Sequence, residues 1–375
     1  MSGGEVKMGV CTMRQFMLSA TMVIVLFLGG ILYPRVATAA TYYVATTGDD
    51  NNSCTTAQNI STPKRNIVGA SGGFSCVTAG DTLYIRQGSY NDNIDPAVNY
   101  IPITNGTSWA DAITISGYQN EVFTLSLGDI SIQDNLDFSV VSYLVFNNFV
   151  ANDGGVWVGG NSHHIRFSNC DITGSFVSVG VFFQETTSYN EVLGCNVHDA
   201  PVSPTPVPPY DVTTGNYGFY IKGYNNLFDG NIVYNNTGYA FHIYGSGLTT
   251  VSNNIVRNNI VYGNAYNDGQ RGLCNGAVLV ASGDNNQVYN NTVYGNGNTT
   301  LNCGGGIFAY GTNSKVYNNT VYGEVGIGMQ IQDAPGAQII NNIIFGNGID
   351  RIVDWGGSAG STSTTNLCGD DTGMS

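Results

Sequence analysis

The chain has 375 residues, only 10% of them charged, with 50 glycines and a formal net charge of −14 at pH 7. So acidic a chain is a poor partner for nucleic acid, and 42% apolar residues beside so few charges are unlike charge-rich disorder. The abundance of Gly, Asn, Thr and Ser excludes a typical helical protein and points to short strands joined by bends.

Residues 1–40 read as a signal peptide. Lys7 and Arg14 precede a largely apolar run from Phe16 to Leu32, and Ala37-Thr38-Ala39 supplies the small residues for cleavage near Ala39 or Ala40. The run is short for the alternative, a retained membrane anchor. Removing Lys7, Arg14, Arg35 and Glu5 leaves 9 of the 12 basic and 25 of the 26 acidic residues, a formal charge of −16. A polyanionic ligand would be repelled on average unless a basic cluster or a bridging divalent cation such as Ca2+ reversed the local field. The expected product is a monomer, secreted, periplasmic or on the cell surface, without stable membrane insertion after cleavage.

From 121 to 350 the chain repeats itself. The phrase Asn, any residue, Val or Ile, then usually an aromatic recurs at Asn231, Asn259, Asn291, Asn319 and Asn342, advancing by 28, 32, 28 and 23 residues. The same register run backward places Cys195, Cys170 and Asn148 at the leading position, with Val197, Ile172 and Val150 at the apolar one. Three residues before each leading position stands a second apolar ladder: Val145, Phe167, Val192, Phe228, Val256, Val288, Val316 and Ile339. A third strand alternates with period two around Gly155, Gly180, Gly218, Ala240, Ala277, Gly306 and Gly328. Three short strands per turn, joined by Gly and Asn bends, make a coil whose parallel strands stack at about 4.8 Å. Asparagine suits the bends because its amide bonds to the next in the stack and it tolerates left-handed backbone angles.

These residues, over most of the span from Tyr143 to Asn347, resemble the pectate-lyase-like right-handed parallel β-helix superfamily. The fold class implied is all-β, a right-handed parallel β-helix with three short strands per rung and an N-terminal cap. Tyr42–Asp50, Ala79–Tyr90 and Ala112–Tyr118 look like the opening segment of exported polysaccharide-acting members, which makes 41–120 the cap and first rungs. Residues 351–375 read as a Gly/Ser/Thr-rich tail or an incomplete last rung, which Ile352-Val353-Asp354-Trp355 could begin.

Cysteine spacing tests the register. Cys170 and Cys195 share one rung position 25 residues apart, and Cys274 and Cys303 share another 29 apart, so each pair falls within disulfide reach. Cys54 and Cys76 would tie down the cap, leaving Cys368 over in the tail, in an oxidising compartment.

The outward positions of the third strand read Trp157, Phe182, Tyr220, His242, Leu279, Phe308 and Gln330 in one column, and Gly159, Gln184, Lys222, Tyr244, Ala281, Tyr310 and Gln332 in the next. Aromatic faces among polar groups bind sugar rings, so Trp157, Phe182, Gln184, Tyr220, Tyr244, Phe308 and Tyr310 are candidate substrate contacts. The alternative is that loops such as 201–216 and 265–275 bury these rings. The superfamily is similar in placing its active clefts on this sheet. Removing a proton alpha to a uronate carboxylate needs a base and positive charge for the enolate, roles open to Lys222, His242 and Arg271. Lys222 as base would need neighbouring positive charge and partial burial to lower its pKa. Hydrolysis needs two carboxylates, and Glu185, Asp211, Asp268 and Asp333 show no recognisable spacing. The polygalacturonase Asn-Thr-Asp, Asp-Asp, Gly-His-Gly set and the Arg-rich pectate lyase signature are both missing. Two readings therefore stand: a polysaccharide lyase or epimerase, and a noncatalytic glycan-binding or surface-structural protein. His163-His164 reads as a solvated pair, Arg257 and Asp229 as a cross-rung ion pair, and the Tyr234 to Phe345 column as a stabilising stack or a second glycan platform.

Overall fold

The structure, a computed structural model, describes residues 39–92, 94, 105–126, 130–132, 141–152, 154–174, 179–201, 217–245, 251–266, 276–280, 283–300, 302 and 304–369. The proposed signal segment up to Thr38 lies outside them, as do Arg271, Cys274 and Cys303.

The described strands stack in parallel on three faces. Face one climbs from Thr41–Val44 through Thr82–Ile85 and Ile113–Gly117 to Thr362–Thr364. Face two runs from Gly88–Tyr90 to Leu367–Cys368, and face three from Ile130–Ile132 to Ile349–Asp354. Two longer strands, Ser142–Asn152 and His163–Thr173, pass through the bend between faces one and two. The three faces enclose one apolar column, because alternate residues of the short strands point inward, except in the last rung, where Thr362–Thr364 and Leu367–Cys368 stay exposed. Phe146 stacks on Phe167 at 5.5 Å and Phe219 on Phe241 at 4.5 Å, all fully buried. Each such ring contributes roughly 2–3 kcal/mol of burial free energy.

The bends obey a five-residue rule. A residue with positive φ turns the chain, the next residue buries an amide, and a three-residue strand follows: Asn258 (φ 56), Asn259, then Ile260–Tyr262. Asparagine takes the left-handed conformation more readily than other side chains, and Gly230 (φ 69) and Gly263 (φ 65) fill the remaining corners where that cost is lowest. The buried asparagines form three ladders, where sequence periodicity indicated one. They run Asn190, Asn226, Asn254, Asn286; then Cys195, Asn231, Asn259, Asn291, Asn319, Asn342, Asn366; then Ala200, Asn236, Asn264, Asn296, Glu324, Asn347. In the second, Asn231 donates both its backbone N–H (2.8 Å) and its Nδ2 (3.0 Å) to Asn259 Oδ1. The rungs that carry these ladders thereby satisfy buried backbone groups that their three-residue strands cannot reach.

The register expected for the 142–152 rung shifts by one residue. Phe149, not Asn148, pairs with Cys170, Phe146 takes the ladder place given to Val145, and Ala151 that of Val150. Val145-Phe146 and Phe149-Val150 are both apolar pairs, so hydrophobicity alone does not say which member points in. At the C-terminal end Ile349–Asp354, Thr362–Thr364 and Leu367–Cys368 each pair with the rung before, so residues 349–369 complete a further rung.

Among the described residues two disulfides join Cys54 to Cys76 and Cys170 to Cys195. The second links directly stacked rungs, and each closes a loop of a size that stabilises by about 3 kcal/mol.

Candidate functional site

Face three carries the columns read from the sequence. Trp157 pairs with Phe182, Phe182 with Tyr220, Tyr220 with His242, His242 with Leu279, Leu279 with Phe308 and Phe308 with Gln330. The strands are only three to five residues long and their inward partners are buried, which turns Trp157, Phe182, Tyr220, His242, Phe308 and Gln330 to the outer side.

Outward does not mean open along the whole face. Trp157 is 37% and Tyr244 41% exposed, while Phe182, Tyr220, His242 and Tyr310 are half-buried. Phe308 is 1% exposed, packed with Tyr239, Tyr217, Tyr310 and Ile327. It presents no face to a ligand in this conformation. Gln330 is buried too, donating to Tyr310 Oη at 2.7 Å.

At the open end the rings change orientation from rung to rung. Trp157 meets Phe182 edge-on at 77°, Phe182 and Tyr220 tilt by 37°, and Tyr220 stacks on His242 at 4.9 Å. His242 lies among Tyr217, Tyr239 and Tyr244, with ring centres at 4.9, 4.6 and 5.3 Å. Tyr217 and Tyr239 escaped the column reading. Their signal was a shared place just before the Gly- or Ala-led strand, on adjacent rungs.

Beside these rings a cavity of about 310 Å³ is lined by Phe182, Gln184, Glu185, Thr186 and Lys222. Its wall is the bend after Val181–Phe183, fastened to the rung below where Gly160 N–H donates to Gln184 Oε1 at 3.0 Å. Lys222 Nζ donates to Glu185 Oε1 at 3.3 Å and sits 5.5 Å from the Tyr220 ring centre. The sequence reading asked for a cation beside Lys222, and the structure supplies a carboxylate. Arg271, with Asp211 and Asp268, lies outside the described residues.

Of the candidate carboxylates, the two among the described residues, Glu185 and Asp333, do not form a hydrolytic pair. Asp333 follows Gln332, five rungs along the column from Gln184, or about 24 Å at the usual strand spacing. Flanking a glycosidic bond takes carboxyl groups no more than about 9.5 Å apart. Among the described residues no group of three or more His, Cys, Asp or Glu stands where a metal ion could be held.

Other expectations resolve clearly. Arg257 pairs with Asp229 at 2.7 Å across one rung and donates to Tyr289 Oη at 3.1 Å. His163 and His164 are not a solvated pair: burial lowers both pKa values, and His164 lies between Tyr143 and Tyr189 at 4.5 and 5.0 Å. On face two His198, Tyr234, Tyr262, Tyr294, Tyr322 and Phe345 stack with neighbouring planes 4° to 12° apart. Within that stack each ring face is covered by the next, which suits stabilisation and leaves only edges for a sugar.

Residues 103–293 and 211–367 match the right-handed β-helix region family. The chain belongs to that family. No curated protein matches the chain. Among solved structures it is similar to a lacto-N-biosidase from Eubacterium ramulus, at 13% identity over 88% of this chain and 67% of that one, with a TM-score of 0.51. It is also similar to a rhamnogalacturonan lyase, at 17% identity over 88% and 87% with a TM-score of 0.50, and to a pectate lyase, at 18% over 88% and 79% with a TM-score of 0.47. At such identities the likeness is one of fold.

Proposed function

We propose that this is an exported β-helix protein that takes a polysaccharide along face three and acts on a uronate-containing glycan by a lyase- or epimerase-like reaction, with Lys222 as the base. The observation that carries the reading is the run of accessible rings Trp157, Phe182, Tyr220 and Tyr244 over four successive rungs, beside a cavity holding Lys222. Axial C–H groups of a sugar pack on such rings while Gln184, Thr186 and Lys222 offer polar partners to hydroxyl or carboxylate groups. Proton abstraction alpha to the carboxylate by Lys222 gives an enolate. Expelling the C4 substituent, whose oxygen takes a proton from solvent, then yields an unsaturated product, and delivery of a solvent-derived proton to the opposite face of C5 yields the epimer. The two disulfides, together with the leader read from the sequence, support export. No helix among the described residues is long and apolar enough to cross a membrane. No step of this reading is routed through calcium.

The Lys222–Glu185 contact favours a second reading, noncatalytic glycan binding, in which the ammonium is a hydrogen-bond donor within a recognition groove. Incubating the mature protein with a panel of uronate polymers, with and without calcium, separates the two. Catalysis gives absorbance of an unsaturated product or solvent deuterium at C5, lost in Lys222→Ala while glycan retention persists. Retention without either product leaves the binding reading, and no retention of any glycan overturns both.

A further inference from the structure

The third asparagine ladder contains one residue of a different kind. Its regular step is seen at Asn264, which donates its backbone N–H (2.9 Å) and Nδ2 (3.0 Å) to Asn296 Oδ1, and the same Nδ2 to the carbonyls of Val233 and Tyr262. One rung on, Asn296 meets a carboxyl group. Its N–H donates to Glu324 Oε2 at 2.9 Å and its Nδ2 to Glu324 Oε1 at 3.1 Å. The ladder continues when Glu324 N–H donates to Asn347 Oδ1 at 3.0 Å.

Glu324 thus reproduces the acceptor half of an asparagine and lacks the donor half. An ionised carboxylate has only lone pairs, so it supplies none of the N–H donation that Asn264 and Asn296 give to backbone carbonyls. Tyr322 O and Val293 O stand in the corresponding places by register. A neutral carboxyl restores one donor. Glu324 is 3% exposed, and the salt bridges of the described residues include none at Glu324. Among the described side chains, the titratable groups on neighbouring elements are Tyr294 and Tyr322, half-buried on face two, and Arg351 and Asp354, exposed on the last face-three strand. None of them compensates a buried negative charge here, and such a charge is costly.

We propose that Glu324 is a pH-sensitive latch: neutral, it closes the third ladder between Asn296 and Asn347, and ionised, it loosens the rungs beyond it. Burial pushes the carboxyl pKa up from 4.5 to about 8, against the lowering effect of the two Asn296 hydrogen bonds. Because the folded pKa is raised, the latch contributes its full stability below the unfolded value. That contribution fades as pH climbs from about 4.5 towards about 8 and is gone above it. The consequence is local, since each rung contacts mainly its neighbours.

The test is amide hydrogen exchange of the full chain at pH 5 and pH 9, corrected for intrinsic rates, in the wild type, Glu324→Asn and Glu324→Gln. Glu324→Asn completes the ladder and Glu324→Gln keeps the length without titrating. In the wild type, opening of Thr320–Tyr322 and Ile343–Phe345 should rise by on the order of a thousand-fold between the two pH values relative to Glu191–Leu193 and Leu227–Asp229. Both variants should lose that difference. Equal pH profiles in the two regions of the wild type, or a difference that survives in both variants, would overturn the proposal.

Discussion

Two aromatic columns run up this β-helix, and their rings are set at different angles. On face two the rings from His198 to Phe345 lie nearly parallel, so each covers its neighbour's face and turns an edge to water. On face three Trp157, Phe182 and Tyr220 change tilt from one rung to the next, which leaves ring area uncovered beside a cavity. The residue types are similar, and orientation separates a stabilising stack from a surface that can meet a sugar.

Both columns depend on the ladders that set the register, so the largest expected effect comes from breaking one. Asn259→Ala removes the acceptor for Asn231 N–H and Nδ2 and the donor to Phe228 O. Leaving these buried groups unpartnered should cost about 3 kcal/mol, read as a lowered urea midpoint with glycan binding kept in the remaining folded protein.

A crossed pair of substitutions sharpens the contrast. Tyr262→Ala interrupts the face-two stack and should cost about 1–2 kcal/mol of stability without changing glycan affinity. Tyr220→Ala should weaken glycan binding about ten-fold, or about 1.4 kcal/mol, measured by affinity electrophoresis. If Tyr262→Ala lost the glycan instead, the assignment of the two columns would be reversed.

The smallest effect concerns the foot of the face-two stack. His198 bonds Asp171 Oδ1 at 3.0 Å and Asp199 Oδ2 at 2.7 Å while stacking on Tyr234. Its hydrogen bond to Asp171 holds its pKa above 6.5, and the same bond holds Asp171 below 3.8. The histidine contribution is full below about pH 6.5 and disappears as pH rises through the raised value. The aspartate contribution is present above about pH 3.8 and fades as pH falls, so the pair stabilises most between those values. In a Glu324→Asn background, which removes the Glu324 step, His198→Gln should raise the urea midpoint at pH 9 relative to pH 5 when compared with that parent.

Much of this organisation was legible in the sequence because the fold is repetitive. The alternation after Gly155, Gly180, Gly218 and Ala240 fixed which side chains of face three point out, and cysteine spacing anticipated the bond between Cys170 and Cys195. What failed had physical causes. Val145-Phe146 offered two apolar residues where one was needed, so the register slipped by one. Two of the three ladders lie outside the aromatic phrase, although Asn225-Asn226 and Asn253-Asn254 repeat the same turning pair. Alternation gives direction and not cover, so Phe308 looked accessible and is buried. The partner of Lys222 comes from a bend 37 residues earlier, where no periodicity operates.

The central claim, that the tilted rings of face three are the glycan surface, is tested most directly by oxidative footprinting of aromatic side chains with and without a retained polysaccharide. Protection should concentrate at Trp157, Phe182, Tyr220 and Tyr244 and spare Tyr262, Tyr294 and Tyr322. Protection of the face-two tyrosines with Trp157 and Tyr220 unchanged would contradict it.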